Sequence, residues 1–262
     1  MLAELRSEPA HSKTPEEKRE YEQRRVDWYN SSYGSLSGYD CPICRNKGNI
    51  AYLDEDGYRR VYRCDCMKIR ANQERIQRSG LADAVTRYTF DSWQDCEPWQ
   101  EQAKKIALEY AQNKQGWFIA FGSVGTGKSH ICTAICNELM KDGMDVLYSL
   151  WRDVSTKAKA AVNNTDQYAE IVEPMKTIPV LYIDDFYKTG KGQEPTTADV
   201  NLAFEIINAR YTNSSLLTII STELTIAELM DIDEAVGSRI YEKCKGHGVS
   251  FVGHKNWRLQ NN

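Results

Sequence analysis

Two sets of residues in this sequence have the types and spacings that do chemistry. The first is residues 122–129, GSVGTGKS, which satisfy Gly-x-x-x-x-Gly-Lys-Ser/Thr at Gly122, Gly127, Lys128 and Ser129. Glycines let such a backbone wrap, so that the N–H groups of Ser123, Val124, Gly125, Thr126, Gly127, Lys128, Ser129 and His130 turn toward phosphate oxygens. The positive end of the following helix assists. Lys128 would sit on the β- and γ-phosphates of ATP, and the Ser129 hydroxyl on Mg²⁺. The apolar run VLYI ending in Asp184 and Asp185 supplies the acidic half. Asp184 is placed as the outer-sphere Mg²⁺ partner, and Asp185 can polarise an attacking water. Two aspartates capping the next turn is the plainer alternative, and it fits only if the glycine loop is set aside.

The second set is Cys41-Pro-Ile-Cys44 and Cys64-Asp-Cys66, separated by 19 residues. Each short spacing lets two thiolates approach one ion, and the pair of pairs predicts a tetrahedral Cys₄ zinc site. With all four positions filled by sulfur, none is open to a substrate water, so the zinc is structural. A redox pair at Cys41 and Cys44 is the alternative, disfavoured by the second pair. Between them, NIAYLDEDGYRRVYR reads as a hairpin turning at residues 54–57. Tyr58, Arg59, Arg60, Tyr62 and Arg63 place cations and aromatics beside the zinc, to stack on single-stranded nucleic acid or simply to cover a small surface. Cys132 and Cys136, four apart on a helix, read as buried small hydrophobes.

These residues need elements to hold them. Thr14, Pro15 and the acidic pair Glu16 and Glu17 announce a helix whose few apolar positions, Tyr21, Val26, Trp28 and Tyr29, fit a solvated rod or an arm packed on a partner. A Ser/Gly/Tyr stretch, 30–40, leads to Cys41, and a charged helix follows Cys66 toward Gly80. From about residue 96 helices alternate with apolar runs at 117–121, 145–149, 179–185, 216–222 and 248–252. Apolar strands without alternation, separated by helices, predict a five-stranded parallel sheet covered on both faces, an α/β fold. The expected division is a helical arm 1–35, a zinc module 36–70, a helical linker 71–88 and a nucleotide-binding domain 89–262.

Composition limits the roles. The 262 residues carry 33 Lys and Arg against 37 Asp and Glu, a net charge of -4, so nucleic-acid contact needs a local patch and cannot come from bulk charge. The first 90 residues hold 16 basic against 14 acidic side chains, the remainder 17 against 23. No apolar run spans a membrane and the first residues lack the apolar core of a signal peptide, which predicts a cytoplasmic protein without membrane contact. Eight cysteines, four of them clustered, fit a reducing compartment.

The Asp-Asp pair, AFEIINARY, TIISTEL, VGSRIYEKC and the upstream RYTFDSW together resemble the AAA+ ATPases of the DnaC/DnaI type, the replicative-helicase loaders of bacteria and phages, over about residues 86–258. The resemblance implies an AAA+ P-loop NTPase with a reduced or absent lid, because only GHKNWRLQNN follows the last strand. It places Ser221, Thr222 and Glu223 at the sensor that reads the γ-phosphate. The family often has Asn where Glu223 stands, and a carboxylate cannot donate to phosphate, so Thr222 is expected to take the role or the sensor is altered. It makes Arg239 the arginine finger that reaches a neighbouring subunit's ATP, where sequence alone would read a surface arginine. Arg210 is left between a structural salt bridge and a subunit contact, and Arg258 as a possible replacement for a lid arginine. It also implies self-association, a replicative ring helicase held by the zinc module, and single-stranded DNA in a channel lined by the 151–177 insertion. Arg152, Lys157 and Lys159, backed by Lys188 and Lys191, are candidate DNA contacts there. Two other roles compete: an IstB-type transposition helper ATPase, which shares the core motifs, and a metabolic P-loop enzyme, for which no acceptor site is evident.

Overall fold

In the computed structural model, which describes residues 14–78, 82–190, 192–254 and 256–259, Thr14 starts helix α1 (Pro15–Ser31) with the reciprocal cap its sequence requires. Its hydroxyl accepts from the Glu17 N–H at 3.2 Å and its own N–H donates to Glu17 Oε2 at 2.8 Å. Val26 is the one buried residue of α1, so apolar packing does little to hold this helix. Its last turn is held by polar bonds instead. The Asn30 amide exchanges two hydrogen bonds with the backbone of Ala51, at 2.9 and 3.0 Å, in strand β1 (Asn49–Leu53). Arg45 and Lys47 donate to the free carbonyls of Asn30, Ser31 and Ser32. β1 pairs antiparallel with β2 (Arg59–Arg63), as expected for the hairpin. Residues up to Arg70 form one compact unit and those from Ala71 a second. The expected arm is thus built into the cysteine unit from residue 14 onward, while Trp28 stays 72% exposed.

The expected linker is likewise not free. Helix α2 (Cys66–Arg78) begins in the first unit, and from Ala71 it belongs to the second, followed by α3 (Ala82–Arg87). Asn72 accepts from the Val146 N–H at 3.2 Å and donates to the Met144 carbonyl, Ile76 joins the core, and Asn137 donates to the carbonyls of Val85 and Tyr88. The proposed cap at Gly80 lies outside the described residues.

The second unit continues through α4 (Pro98–Asn113), β3 (Trp117–Gly122), α5 (Lys128–Lys141), β4 (Val146–Leu150), α6 (Trp151–Ala160), α7 (Thr165–Thr177), β5 (Val180–Asp184), α8 (Thr197–Tyr211), β6 (Leu217–Thr222), α9 (Ile226–Ile232), α10 (Glu234–Lys243) and β7 (Gly248–Phe251). All five strands from β3 to β7 run parallel in the order β4-β5-β6-β3-β7. Side chains such as Phe118, Ala120, Val180 and Tyr182 meet α4 and α5 on one face, while Ile119, Leu181, Ile183 and Ile220 meet α6 to α10 on the other. Both faces are covered, which is why the central strands β3, β5 and β6 carry no polar alternation, whereas edge strand β7 alternates between exposed and buried. β3 and β5 end at the same edge of the sheet, and there the loop and the acidic pair meet. After β7 the described residues hold no lid helix, only a 3₁₀ turn, Trp257–Leu259. The Trp257 N–H donates to the Gly125 carbonyl at 3.0 Å, so this tail rests on the phosphate loop.

Arg210 is neither of the two things expected of it. It is fully buried and meets no carboxylate; Nε donates to Thr218 Oγ1 and the two Nη atoms to the carbonyls of Met175, Ile178 and Leu217, at 2.7 to 2.9 Å. The guanidinium caps the end of α7 against β6. Burial lowers its pKa to about 10, against a small opposing effect of Tyr110, which still leaves it charged at neutral pH. Arg210→Met should lower unfolding stability by at least about 3 kcal/mol in urea titration, since several buried acceptors lose their donor together.

Candidate functional site

At the carboxyl ends of β3 and β5 a cavity of about 330 Å³ opens, lined by Val124 to His130 of the loop, by Tyr88, Trp93 and Trp257, and by Asp185, Lys188 and Glu223. The loop's glycines are needed for its shape. Gly125 (φ +71) faces the Asn256 side chain and Gly127 (φ +104) faces the Trp93 ring, where an added Cβ would stand 2.9 Å from Cζ3. Lys128 is nearly buried and its Nζ donates to the carbonyls of Gly122 and Ser123, at 2.9 and 2.7 Å. Burial lowers its pKa, opposed by Glu223 and Asp185 nearby. The ammonium is thus held against its own loop at the floor of the cavity.

Ser129 Oγ donates to Asp184 Oδ1 at 3.0 Å, joining the loop to the acidic strand end. Asp184 is buried yet surrounded by donors: Tyr182 O–H at 2.8 Å, Tyr148 O–H at 2.9 Å and the Ser221 hydroxyl. Four hydroxyls donate to this carboxyl group, which with Ser129 could hold a Mg²⁺. Burial, reinforced by the Asp184 charge, raises the pKa of both tyrosines, which keeps them as donors. Tyr148 and Tyr182 were not picked out from the sequence. The available signal was two hydroxyls inside strands that are otherwise apolar, where each needs a partner.

Asp185 turns the chain into the left-handed region (φ 52), as does Tyr187 (φ 58), a rare conformation for so large a residue. The Asp185 N–H is held by Ser221 Oγ at 3.1 Å, so Ser221 braces both aspartates. Thr222 requires a correction. It is fully buried, its hydroxyl donates to the Phe186 carbonyl at 2.9 Å and accepts from Leu224, and it does not face the cavity. Side chains alternate along β6, and Glu223 is the one that reaches the pocket. Lys188, expected to back the DNA contacts, lines this cavity and pairs there with Glu223 and Asp185.

His130 stacks on Tyr88 at 4.8 Å, and its Nε2 donates to the Thr89 carbonyl at 2.9 Å. Burial lowers its pKa, with that carbonyl opposing, so the ring is neutral at neutral pH. The RYTFDSW segment is thereby tied to the first turn of α5. Arg239 lies on α10 and does not line the cavity; Nη1 donates to the Ala235 carbonyl at 2.6 Å and the guanidinium sits over Phe204 and Tyr211, each at 5.4 Å. Of the expected DNA contacts, Lys159 is paired with Asp199 at 2.6 Å, whereas Arg152 and Lys157 are exposed. Lys191 and the Arg258 side chain lie outside the described residues.

In the other unit the four sulfurs of Cys41, Cys44, Cys64 and Cys66 are buried and lie within 4.8 Å of one another. The Cys41–Cys64 and Cys44–Cys66 separations are 3.8 and 3.5 Å. Zn–S bonds of about 2.3 Å in a tetrahedron put sulfurs about 3.8 Å apart, so the cluster fits zinc. Left-handed Arg45 and Asn46 curl the chain after Cys44, whose sulfur accepts from the Gly48 N–H at 3.3 Å. Burial works against a Cys44 thiolate, but Gly48 and the neighbouring thiols outweigh it and bring its pKa down to about 6; burial and those neighbours push Cys66 up to about 12. Four thiolates so close need a cation to coexist. Cys132 and Cys136 are buried in the core beside Ile131 and Ile135.

Comparison with known proteins places these features. The family model described as IstB-like ATP binding protein matches residues 53–261. The phage-like element PBSX protein XkdC of Bacillus subtilis (strain 168) is 30% identical over 229 residues, covering 83% of this chain and 84% of the relative. The replicative helicase loader DnaC of Escherichia coli (strain K12) is 30% identical over 118 residues, covering 43% of this chain and 48% of DnaC. Among solved structures, the crystal structure of the DnaC helicase loader superposes with a TM-score of 0.53 at 19% identity, covering 64% of this chain and 97% of that one. That likeness is one of fold. Among the described residues no helix is long and apolar enough to cross a membrane.

Proposed function

The chain belongs to the IstB-like ATP-binding protein family, with the AAA+ fold of the DnaC loaders, and from that premise we propose that it is an ATP-dependent loader that binds the replicative DNA helicase and deposits it on single-stranded DNA. The observation that carries this reading is the combination, in one chain, of the ATP pocket with a four-cysteine zinc cluster of the kind the DnaI-type resemblance implies. Lys128 holds the β- and γ-phosphates, Ser129 and Asp184 hold Mg²⁺, and Asp185 orients the attacking water. Mg²⁺ supplies charge neutralisation at the transferring phosphoryl group. Arg239 completes the pocket of a neighbouring copy, so hydrolysis follows self-association. Zinc shapes the N-terminal unit, which grips the helicase ring. Arg152 and Lys157 on α6, together with the exposed Arg/Tyr strand β2, are exposed basic groups available to DNA.

The matching family is described as IstB-like ATP binding protein, and the IstB-type resemblance supports a second reading: a transposition helper acting on a transposase and duplex DNA. Co-purification of the full chain with the cognate replicative helicase, in ATP and single-stranded DNA, is the expected result. Capture of a transposase in its place, or ATPase activity stimulated by duplex and not by single strands, would select the second reading.

A further inference from the structure

The sensor position after β6 holds Glu223, and an ionised carboxylate accepts hydrogen bonds without donating any. Set alone against the terminal phosphate of a nucleotide it would repel it. The pocket supplies a cation at the same place. Lys188, three residues beyond Asp185, carries its Nζ 2.7 Å from Glu223 Oε1 and 3.1 Å from Asp185 Oδ2. All three side chains line the cavity opposite the phosphate loop, near enough to influence the Lys128 ammonium. Burial lowers the Lys188 pKa, but Glu223 and Asp185 outweigh it and raise it, so the ammonium is charged. An ammonium has three N–H donors; two carboxylates occupy two of them and one remains for a ligand.

We propose that Lys188 recognises the terminal phosphate of a nucleoside triphosphate, with Glu223 as the positioning residue that holds the ammonium in the pocket. This rests on the reading of the cavity as an ATP site. Lysine and glutamate together do what a single donor side chain does elsewhere at a strand end. The arrangement also links occupancy to Asp185. Without a terminal phosphate, Lys188 keeps the Asp185 carboxylate paired; a triphosphate draws the ammonium away and leaves Asp185 able to accept from water. The site therefore distinguishes tri- from diphosphates by a residue of its own subunit, separately from any arginine brought by a neighbour.

The test is the affinity of the full-length protein for fluorescent ATP and ADP analogues with Mg²⁺, measured at equilibrium below the concentration at which it self-associates. Lys188→Ala should weaken ATP by about tenfold or more, the loss expected for one charge-assisted hydrogen bond with two carboxylates left facing the phosphate, and leave ADP within about twofold. Lys188→Arg should keep most of the preference. Lys188→Gln, which retains the stem without the charge, carries the alanine expectation if alanine does not fold. Equal weakening of both nucleotides, or of neither, overturns the assignment of Lys188 and leaves the ATP pocket standing. Failure of the wild-type chain to bind either nucleotide overturns the ATP reading and this inference with it.

Discussion

Cys44→Ser should release the zinc and unfold the N-terminal unit while the five-stranded unit stays folded. That unit has little else to hold it. Among its described residues the buried apolar side chains are Val26, Ala51 and the four cysteines themselves, and β2 is exposed along its whole length. A core of this size does not offset the chain entropy of the unit, which runs to Arg70. A structural zinc contributes about 10–16 kcal/mol at neutral pH in small zinc domains, as much as the whole stability of a typical domain. The Asn30–Ala51 bonds and the Arg45 and Lys47 caps form only on a folded knuckle, so α1 should be lost with the metal. Metal analysis should read one zinc per wild-type chain and none in the variant. Calorimetry should then show the N-terminal transition removed and the later one kept. An unchanged melt, or full zinc content in the variant, would contradict a Cys₄ structural site.

The second large effect is expected of Arg239→Ala: ATP still binds, and hydrolysis falls by about a thousandfold, in the range an arginine supplied in trans contributes. In its own subunit Arg239 is away from the cavity, resting on Phe204 and Tyr211 with Nε unpartnered. Reaching a neighbouring pocket would cost the guanidinium its one side-chain bond, to the Ala235 carbonyl, and its two ring contacts. The test is complementation. Mixing Arg239→Ala chains with Lys128→Ala chains, each nearly inactive alone, should restore part of the activity, because one supplies an intact pocket and the other an intact arginine. If ATP affinity and rate fall together in Arg239→Ala, the residue serves the folding of α10 instead.

The elements that the sequence made legible are those whose signals are local. Thr14-Pro15 with Glu17 builds a cap from adjacent atoms. GSVGTGKS makes a phosphate loop because glycine alone tolerates its backbone angles, and Cys-x-x-Cys with Cys-x-Cys makes a metal site because short spacings force sulfurs together. The central strands β3, β5 and β6 were readable for the same reason, since a strand covered on both faces is apolar along its length.

What stayed illegible depends on which residues distant in sequence become neighbours. Arg210 resembled an ion-pairing residue until the fold set it among carbonyls of α7 and β6. Thr222 and Glu223 are adjacent in the chain, and only the end of β6 between them decides that the first is sealed in the core and the second faces the pocket. Lys188 looked like one more loop lysine, and it took the packing of β5 beside β6 to bring it onto Glu223. Tyr148 and Tyr182 acquire their role from Asp184 in the same way. Residue type and spacing thus determined that this protein has a nucleotide-binding loop and a four-cysteine cluster that fits zinc, because those requirements are met by the backbone and by neighbours a few residues apart. Which side chains complete the nucleotide site was decided by the order of the parallel strands, because hydrogen bonds and ion pairs act over about 3 Å and have no memory of separation along the chain.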